Sequence, residues 1–409
     1  MGARRVCFVC MLPMLFVCLV LIPAVGLKKA TAAELLVGST APYSGPASGY
    51  STIGKGFSAY FDMLNSKGGI QGRTIKFISY DDAYSPPKTV EQVRRLVESD
   101  DVEVLLGLFG TPTNAAVQKY INAKKIPQLF TVTASGRFNN PDKYPWTMGW
   151  LPTIVLEGKV FGRYILATKP NAKIGVLYQN DDLGRDALEA LKSALGSRAS
   201  EMIVSAQKYE VTDPTVDSQV LAIKAAGADV FYNAATVKSA AQAIRTAHAA
   251  GWKPLHLLST ISANINTVLK PAGIEASRDI VSAFYLKDPT DPQWSNDQGM
   301  VAYRDWMKKY YAAGDPDNPF NVIAYSIGQS FEVVLAACGN DTSKANIMAK
   351  AASLNNVSLP MLLPGITLKT SKTDYFPIQQ LKLGRFDGER WSLFGEVYLD
   401  ETEDVSSKD

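Results

Sequence analysis

Histidine and cysteine are scarce in this chain of 409 residues, which holds two of the first and four of the second. Cys7, Cys10 and Cys18 fall near the N-terminus and leave Cys338 as the only cysteine further on. A single thiol makes no intrachain disulfide, so stability must come from packed cores, which a chain of this length supplies in two bodies. His248 lies in an Ala-rich helical stretch and His256 beside a strand, without the partners of a Ser-His-Asp or Cys-His site. Cys338, in "VVLAACGN", reads as the packed end of an apolar helix. CxxC and HExxH spacings are absent. The stretch "GYSTIGKG" does not give GxGxxG, and "GLFGTPTN" lacks the Lys-Ser/Thr that closes a phosphate loop. Asp81-Asp82, ahead of Pro86-Pro87, reads as helix capping rather than paired acid–base catalysis. No catalytic group, metal or cofactor is expected.

Long apolar runs are also missing, with one exception. Residues 6–27 are uncharged, preceded by Arg4 and Arg5 and followed by Lys28, Lys29 and the small residues Ala30-Thr31-Ala32-Ala33. This is the layout of an export signal over residues 1–33, cut after Ala32 or Ala33; the same run is long enough for an uncleaved membrane anchor. Val17 is too bulky to precede a lipid-carrying Cys18. Removing Arg4, Arg5, Lys28 and Lys29 from 42 basic residues leaves 38, against 39 acidic residues, so the exported chain is close to neutral. With no basic block, nucleic acid and anionic membrane are not expected partners.

What the chain has is alternation. Strand patterns at 35–39, 74–80, 102–106, 128–131, 173–178, 201–206, 229–232, 255–258 and 279–284 are separated by amphipathic helical segments. Leu183, Ala187, Leu188, Leu191, Ala194 and Leu195 form one apolar stripe, as do Val90, Val93, Leu96 and Val97. Such βαβ repetition predicts α/β architecture with doubly wound parallel sheets, and the number of units predicts two lobes. The Pro-, Trp- and Gly-rich stretch 141–152 reads as a crossover between them. Helices are expected at 294–311 and 320–337. Residues 357–369 and 377–397 alternate like strands, with Phe386-Asp387-Gly388 turning the last pair. The polar, small-residue loops follow the strands, where open α/β sheets bind ligands. Two facing lobes then build one cleft without any catalytic group.

The run "GSTAPYSGPASGYSTIGKGFSAYFDMLNSKGGIQGRTIKFISYDDAYSPPKTV" resembles the N-terminal lobe of the periplasmic branched-chain amino acid-binding family, the solute receptors of ABC importers. "LLGLFGTPTNAAV", "IPQLFTVTASGRF", "VLYQNDDLGRD" and "TDYFPIQQLKLGRFDGERW" are similar to later landmarks of that family. The resemblance implies a type I periplasmic-binding fold: residues 34–152 with 284–375 as one lobe, 153–283 with 376–409 as the other, joined by three crossing strands. It implies a monomer in the periplasm that takes a small-molecule solute and hands it to a membrane permease, with an exported enzyme or a ligand sensor as the readings from other classes.

Carried over, Tyr50 matches the aromatic that covers the ligand, placed by the turn Ser44-Gly45-Pro46; it also reads as plain packing. Gly110, Thr111 and the loop Thr133-Ala134-Ser135 match the grip on a ligand carboxylate, beside a helix start. Trp150, Leu183 and Phe284 are expected apolar walls, and Ala234 and Thr260 expected contacts of the second lobe. The acidic residue that holds a ligand ammonium in the family should fall near Thr260 or Ile261, and the sequence has none there. Leu183-Gly184 stands where amino-acid binders have Tyr-Gly. A buried ammonium without a partner costs on the order of 2–5 kcal/mol. The expectation is therefore a carboxylate or amide with an apolar or aromatic body. A branched-chain amino acid remains the rival, its ammonium held by Asp82, Asp181 or Asp182.

Overall fold

The structure, a computed structural model, describes residues 1–3, 5 and 34–399. The uncharged run of the expected leader, its cleavage point and residues 400–409 lie outside the described residues.

Five strands, β1 (Glu34–Ala41), β2 (Thr74–Asp81), β3 (Val104–Leu106), β4 (Gln128–Thr131) and β5 (Thr147–Gly149), form one parallel sheet in the order β2-β1-β3-β4-β5. Seven more, β6 (Ile174–Gln179), β7 (Ile203–Tyr209), β8 (Val230–Ala234), β9 (Leu255–Leu258), β10 (Val281–Phe284), β11 (Gln380–Phe386) and β12 (Trp391–Leu399), form the second in the order β12-β11-β10-β9-β8-β6-β7. From β10 to β7 that sheet is parallel, while β11 and β12 close its edge as an antiparallel hairpin. The inner strands are nearly continuous apolar runs because helices cover both faces: VLL of β3 and VFYNA of β8 are buried throughout.

The helices that matter for the site begin at the carboxyl ends of strands. They are α1 (Thr52–Ser66), α2 (Pro86–Glu98), α3 (Thr111–Lys124), α4 (Ile154–Thr168) and α5 (Asp182–Leu195). Thr153 caps α4 by accepting from the Leu156 N–H, and Asp181 caps α5 by accepting from the Gly184 N–H, both at 3.0 Å. Five of the six residues of the α5 stripe, Leu183, Ala187, Leu188, Leu191 and Leu195, are buried, and Ala194 at its edge is half-buried.

The chain passes between the sheets three times: after β5 into α4, after β10 into the helix Gln298–Tyr310, which packs on α1, and before β11. The Tyr375 N–H donates to Asn139 at 2.7 Å, which ties the start of the last crossing to the first half.

Three expectations needed correction. The stretch 141–152 is not crossover alone, because Thr147–Gly149 pairs with β4; three residues among Pro145, Trp146 and Trp150 carry no alternation to read. Residues 357–369 make no strand, only isolated bridges between Leu286 and Leu362 and between Val357 and Leu368. The leader is also not the only segment long and apolar enough to cross a membrane. Pro319–Cys338 qualifies, with a mean hydropathy of 1.3, but it is 67% buried and packs on α1 as a core helix.

Candidate ligand cleft between the two sheets

The carboxyl-end loops of both sheets converge on a cavity with about 720 Å³ of empty space, its mouth included. From the first half come Tyr50, Tyr84, the segment Phe109-Gly110-Thr111 and the segment Val132-Thr133-Ala134; from the second come Leu183, Thr236, Thr260 and Ile261. Leu151 and Tyr285, on the first two crossings, and Leu381, at the start of β11 just after the third, each add an apolar residue.

Seven expected site residues, Tyr50, Gly110, Thr111, Thr133, Ala134, Leu183 and Thr260, line this cavity. The other four are placed elsewhere. Ser135 turns toward α5, its Oγ donating to Asp186 at 2.6 Å. Trp150 is fully buried, its Nε1 donating to Ser330 Oγ at 2.8 Å. Ala234 is sealed within β8. Phe284 packs on Trp391, 4.9 Å between centroids, and faces an adjoining cavity.

Tyr50 sits at the end of a short turn that needs glycine, since Gly45 holds φ 81° against the Ala83 carbonyl. Its ring lies between Phe109 (4.6 Å) and Phe320 (4.8 Å). Its hydroxyl donates to the Ile261 carbonyl at 3.3 Å and accepts from the Val237 N–H at 3.2 Å, so the side chain bridges the two halves. Burial drives its pKa up, and it stays a neutral phenol. Further ties join the halves: Gln179 to the Tyr84 hydroxyl at 3.3 Å, the Gly136 N–H to Asp186 at 2.9 Å and Arg137 to Asp182 at 3.0 Å. The cleft is therefore closed.

At one end of the cavity, Gly110 precedes α3 at φ 95°, and a Cβ there would strike the Tyr84 ring. This lets the helix start face the cleft with Thr111 as its first residue. Thr111 Oγ1 and Thr133 Oγ1 lie 2.7 Å apart, and Thr133 Oγ1 also accepts from the Ser135 N–H at 3.2 Å. Two hydroxyls at a helix N-terminus form a neutral seat for an anion.

Glu157 is the residue the sequence reading missed. It extends from the first turn of α4, lines the cavity and is buried. Its Oε1 accepts from the Tyr232 hydroxyl at 2.8 Å and its Oε2 from the Thr260 N–H at 2.7 Å. A carboxylate thus reaches the loop where no acidic residue stands in the sequence. Its pKa is raised by burial, against the pull of those hydrogen bonds. The available signal was a lone acid in the apolar run "IVLEG". Asp82, Asp181 and Asp182 do not line the cavity. They bond instead to Tyr84 and Thr89, to Gly184 and Gln179, and to Arg137 and Arg185. His256 is held neutral by burial, its pKa lowered to about 3.

Asp181 carries a pH prediction. Burial raises its pKa from 3.8 to about 6, so between those values the folded chain keeps a proton that the unfolded chain has lost. Its contribution is complete below the unfolded value and is lost as pH rises through about 6, a loss of at most ~3 kcal/mol. Glu157, Asp82, Asp186 and Asp288 are shifted the same way by burial. Asp182 and Asp297, lowered by their cationic partners, matter only below the ordinary carboxylate range. The melting temperature is expected to fall between about pH 4 and 6, and to fall less in Asp181→Asn, which keeps a helix cap. Equal slopes in a calorimetric series across that range would refute the assignment.

Residues 34–390 match the family described as periplasmic binding protein. The chain is 24% identical over 293 residues to Leu/Ile/Val-binding protein homolog 7 of Brucella suis biovar 1, covering 68% of this chain and 71% of that protein. Among solved structures, a branched chain amino acid ABC transporter protein from Thermus thermophilus with bound valine is similar at TM-score 0.80 and 16% identity, over 90% of this chain and 97% of that one. A fatty acid ABC transporter substrate-binding protein from Thermomonospora curvata is similar at TM-score 0.73 and 19% identity, over 90% and 93%. These two are described for different solutes, so the shared fold names no ligand. With its two sheets, three crossings and closed cleft, this chain belongs to the periplasmic binding protein family.

Proposed function

We propose that this chain is a periplasmic receptor that closes on a small organic acid with an apolar or aromatic body and presents it to an ABC-type membrane permease. Residues 34–152 with 284–375 and the described residues of 153–283 with 376–399 are the two moving lobes, and closure is driven by the ligand's preference for the closed state. The observation that carries the reading is one cavity pairing the Thr111–Thr133 hydroxyls at the start of α3 with apolar walls. Tyr50, Leu183, Phe320 and Leu381 are among those walls. Hydroxyls and helix N–H groups bind an anion without a fixed countercharge, which keeps release easy. No residue of the cavity is given a catalytic role.

One observation favours a second reading. Glu157 puts a carboxylate in the same cavity, where it would pair with the ammonium of an α-amino acid such as leucine. Against this, both its oxygens already accept hydrogen bonds from the protein. Titration calorimetry with benzoate and leucine decides between the two. Benzoate is expected to bind with one-to-one stoichiometry and leucine to release no heat; tight leucine binding with no response to benzoate would reverse the reading.

A further inference from the structure

A second cavity, with about 490 Å³ of empty space, adjoins the first and shares Thr260, Tyr285, Phe320 and Ile323 with it. Its own walls include Ala263, Phe284 and Leu286. The polar residues around it are engaged elsewhere. Lys287 Nζ lies 2.7 Å from Asp297 and donates to the Pro360 carbonyl at 2.8 Å. Asp288 accepts from the N–H and the hydroxyl of Thr290, both at 2.8 Å. Asn264 accepts from the Asn266 and Thr267 N–H groups and donates to Asn318. A group arriving in this cavity meets apolar side chains and polar side chains already tied to the protein, among them a carboxylate, Asp288, that would repel a second acid. An apolar tail fits there, and a second charged group does not.

We propose that the two cavities form one channel, and that the preferred ligand is an acid whose apolar body runs from the start of α3 past Phe320 and Ile323 into the second cavity. This rests on the organic-acid reading of the first cavity. Phe320 and Ile323 stand three residues apart on the helix Pro319–Cys338, so they share a face, and their side-chain ends line both cavities. Such ends shift by rotamer changes, which a backbone wall does not allow. Each methylene that moves from water into the channel strengthens binding roughly fourfold.

Titration calorimetry on the purified protein with straight-chain acids from butanoate to decanoate tests the channel. Affinity is expected to climb along the whole series. Ala263→Leu, which fills only the second cavity, should weaken decanoate binding by roughly tenfold or more and leave butanoate within about twofold. Leu286→Trp fills the same space from the other side and should reproduce that split, and unliganded melting temperatures show that both variants fold. An affinity that peaks at a short acid and then falls, or decanoate binding indifferent to both variants, overturns the channel and leaves the acid reading standing. If no member of the series binds while leucine does, the acid reading itself fails and the channel falls with it.

Discussion

Thr111→Val is expected to weaken binding of an acidic ligand by roughly ten- to a hundredfold, the 1.5–3 kcal/mol typical of a hydrogen bond to a charged group. Valine keeps the shape of threonine and removes one hydroxyl from the pair 2.7 Å apart at the start of α3. Thr133 Oγ1 keeps the Ser135 N–H as a donor, so the loop holds its form and the melting temperature should change little. Thr113→Val is the control. Its hydroxyl is fully buried, does not line the cavity, and bonds to a backbone carbonyl at the head of α3, that of Phe109 or Gly110. That substitution is expected to lower the melting temperature, at a cost of about 1 kcal/mol, and to leave the ligand contacts in place. Calorimetric titration of both variants with a bound acid separates the roles, and an unchanged affinity in Thr111→Val would remove the hydroxyl pair from the site.

The parts of this site that follow a strand were legible in the sequence. The loops 108–114 and 131–138 announce themselves as small, polar segments between an apolar run and a helix, and the family resemblance picks Gly110, Thr111, Thr133, Ala134 and Tyr50 as the residues that matter. Leu151, Tyr285 and Leu381 come together from three distant segments, and nothing local separates a cavity wall from a core residue. The same ambiguity covers Trp150 and Phe284, which are as apolar as the residues around the first cavity: Trp150 is sealed in packing, and Phe284 packs on Trp391 and faces the second cavity instead. Ser135 shows the complementary error: the hydroxyl is where the motif puts it, but Asp186 of α5 claims it. Glu157 was missed because the search for an acid ran along the Thr260 loop, whereas the carboxylate arrives through space from α4.

Glu157→Gln separates the two ligand readings by the sign of its effect. For an organic acid the native carboxylate is a like charge in the same cavity, so neutralising it removes repulsion and raises affinity several-fold. For an α-amino acid the same change deletes the ammonium's partner and lowers affinity by the 2–5 kcal/mol expected for a broken buried charge pair, a loss of thirtyfold or more on that scale. Glutamine preserves the local geometry, since its carbonyl accepts from the Thr260 N–H and its amide donates to the rotated Tyr232 hydroxyl, so the fold is not at issue. Burial raises the pKa of the native carboxyl, so the charged form is the less comfortable one in the folded chain. The variant should therefore melt no lower than the native protein at neutral pH, and the native protein should gain on it as pH falls. Glu157→Leu gives the contrast, leaving the Tyr232 hydroxyl and the Thr260 N–H without acceptors at about 1–3 kcal/mol each. A rise in benzoate affinity in Glu157→Gln carries the acid reading, and a collapse of leucine affinity carries the other. If both solutes bind as before, the carboxylate does no more than hold α4 to the sheet beside it.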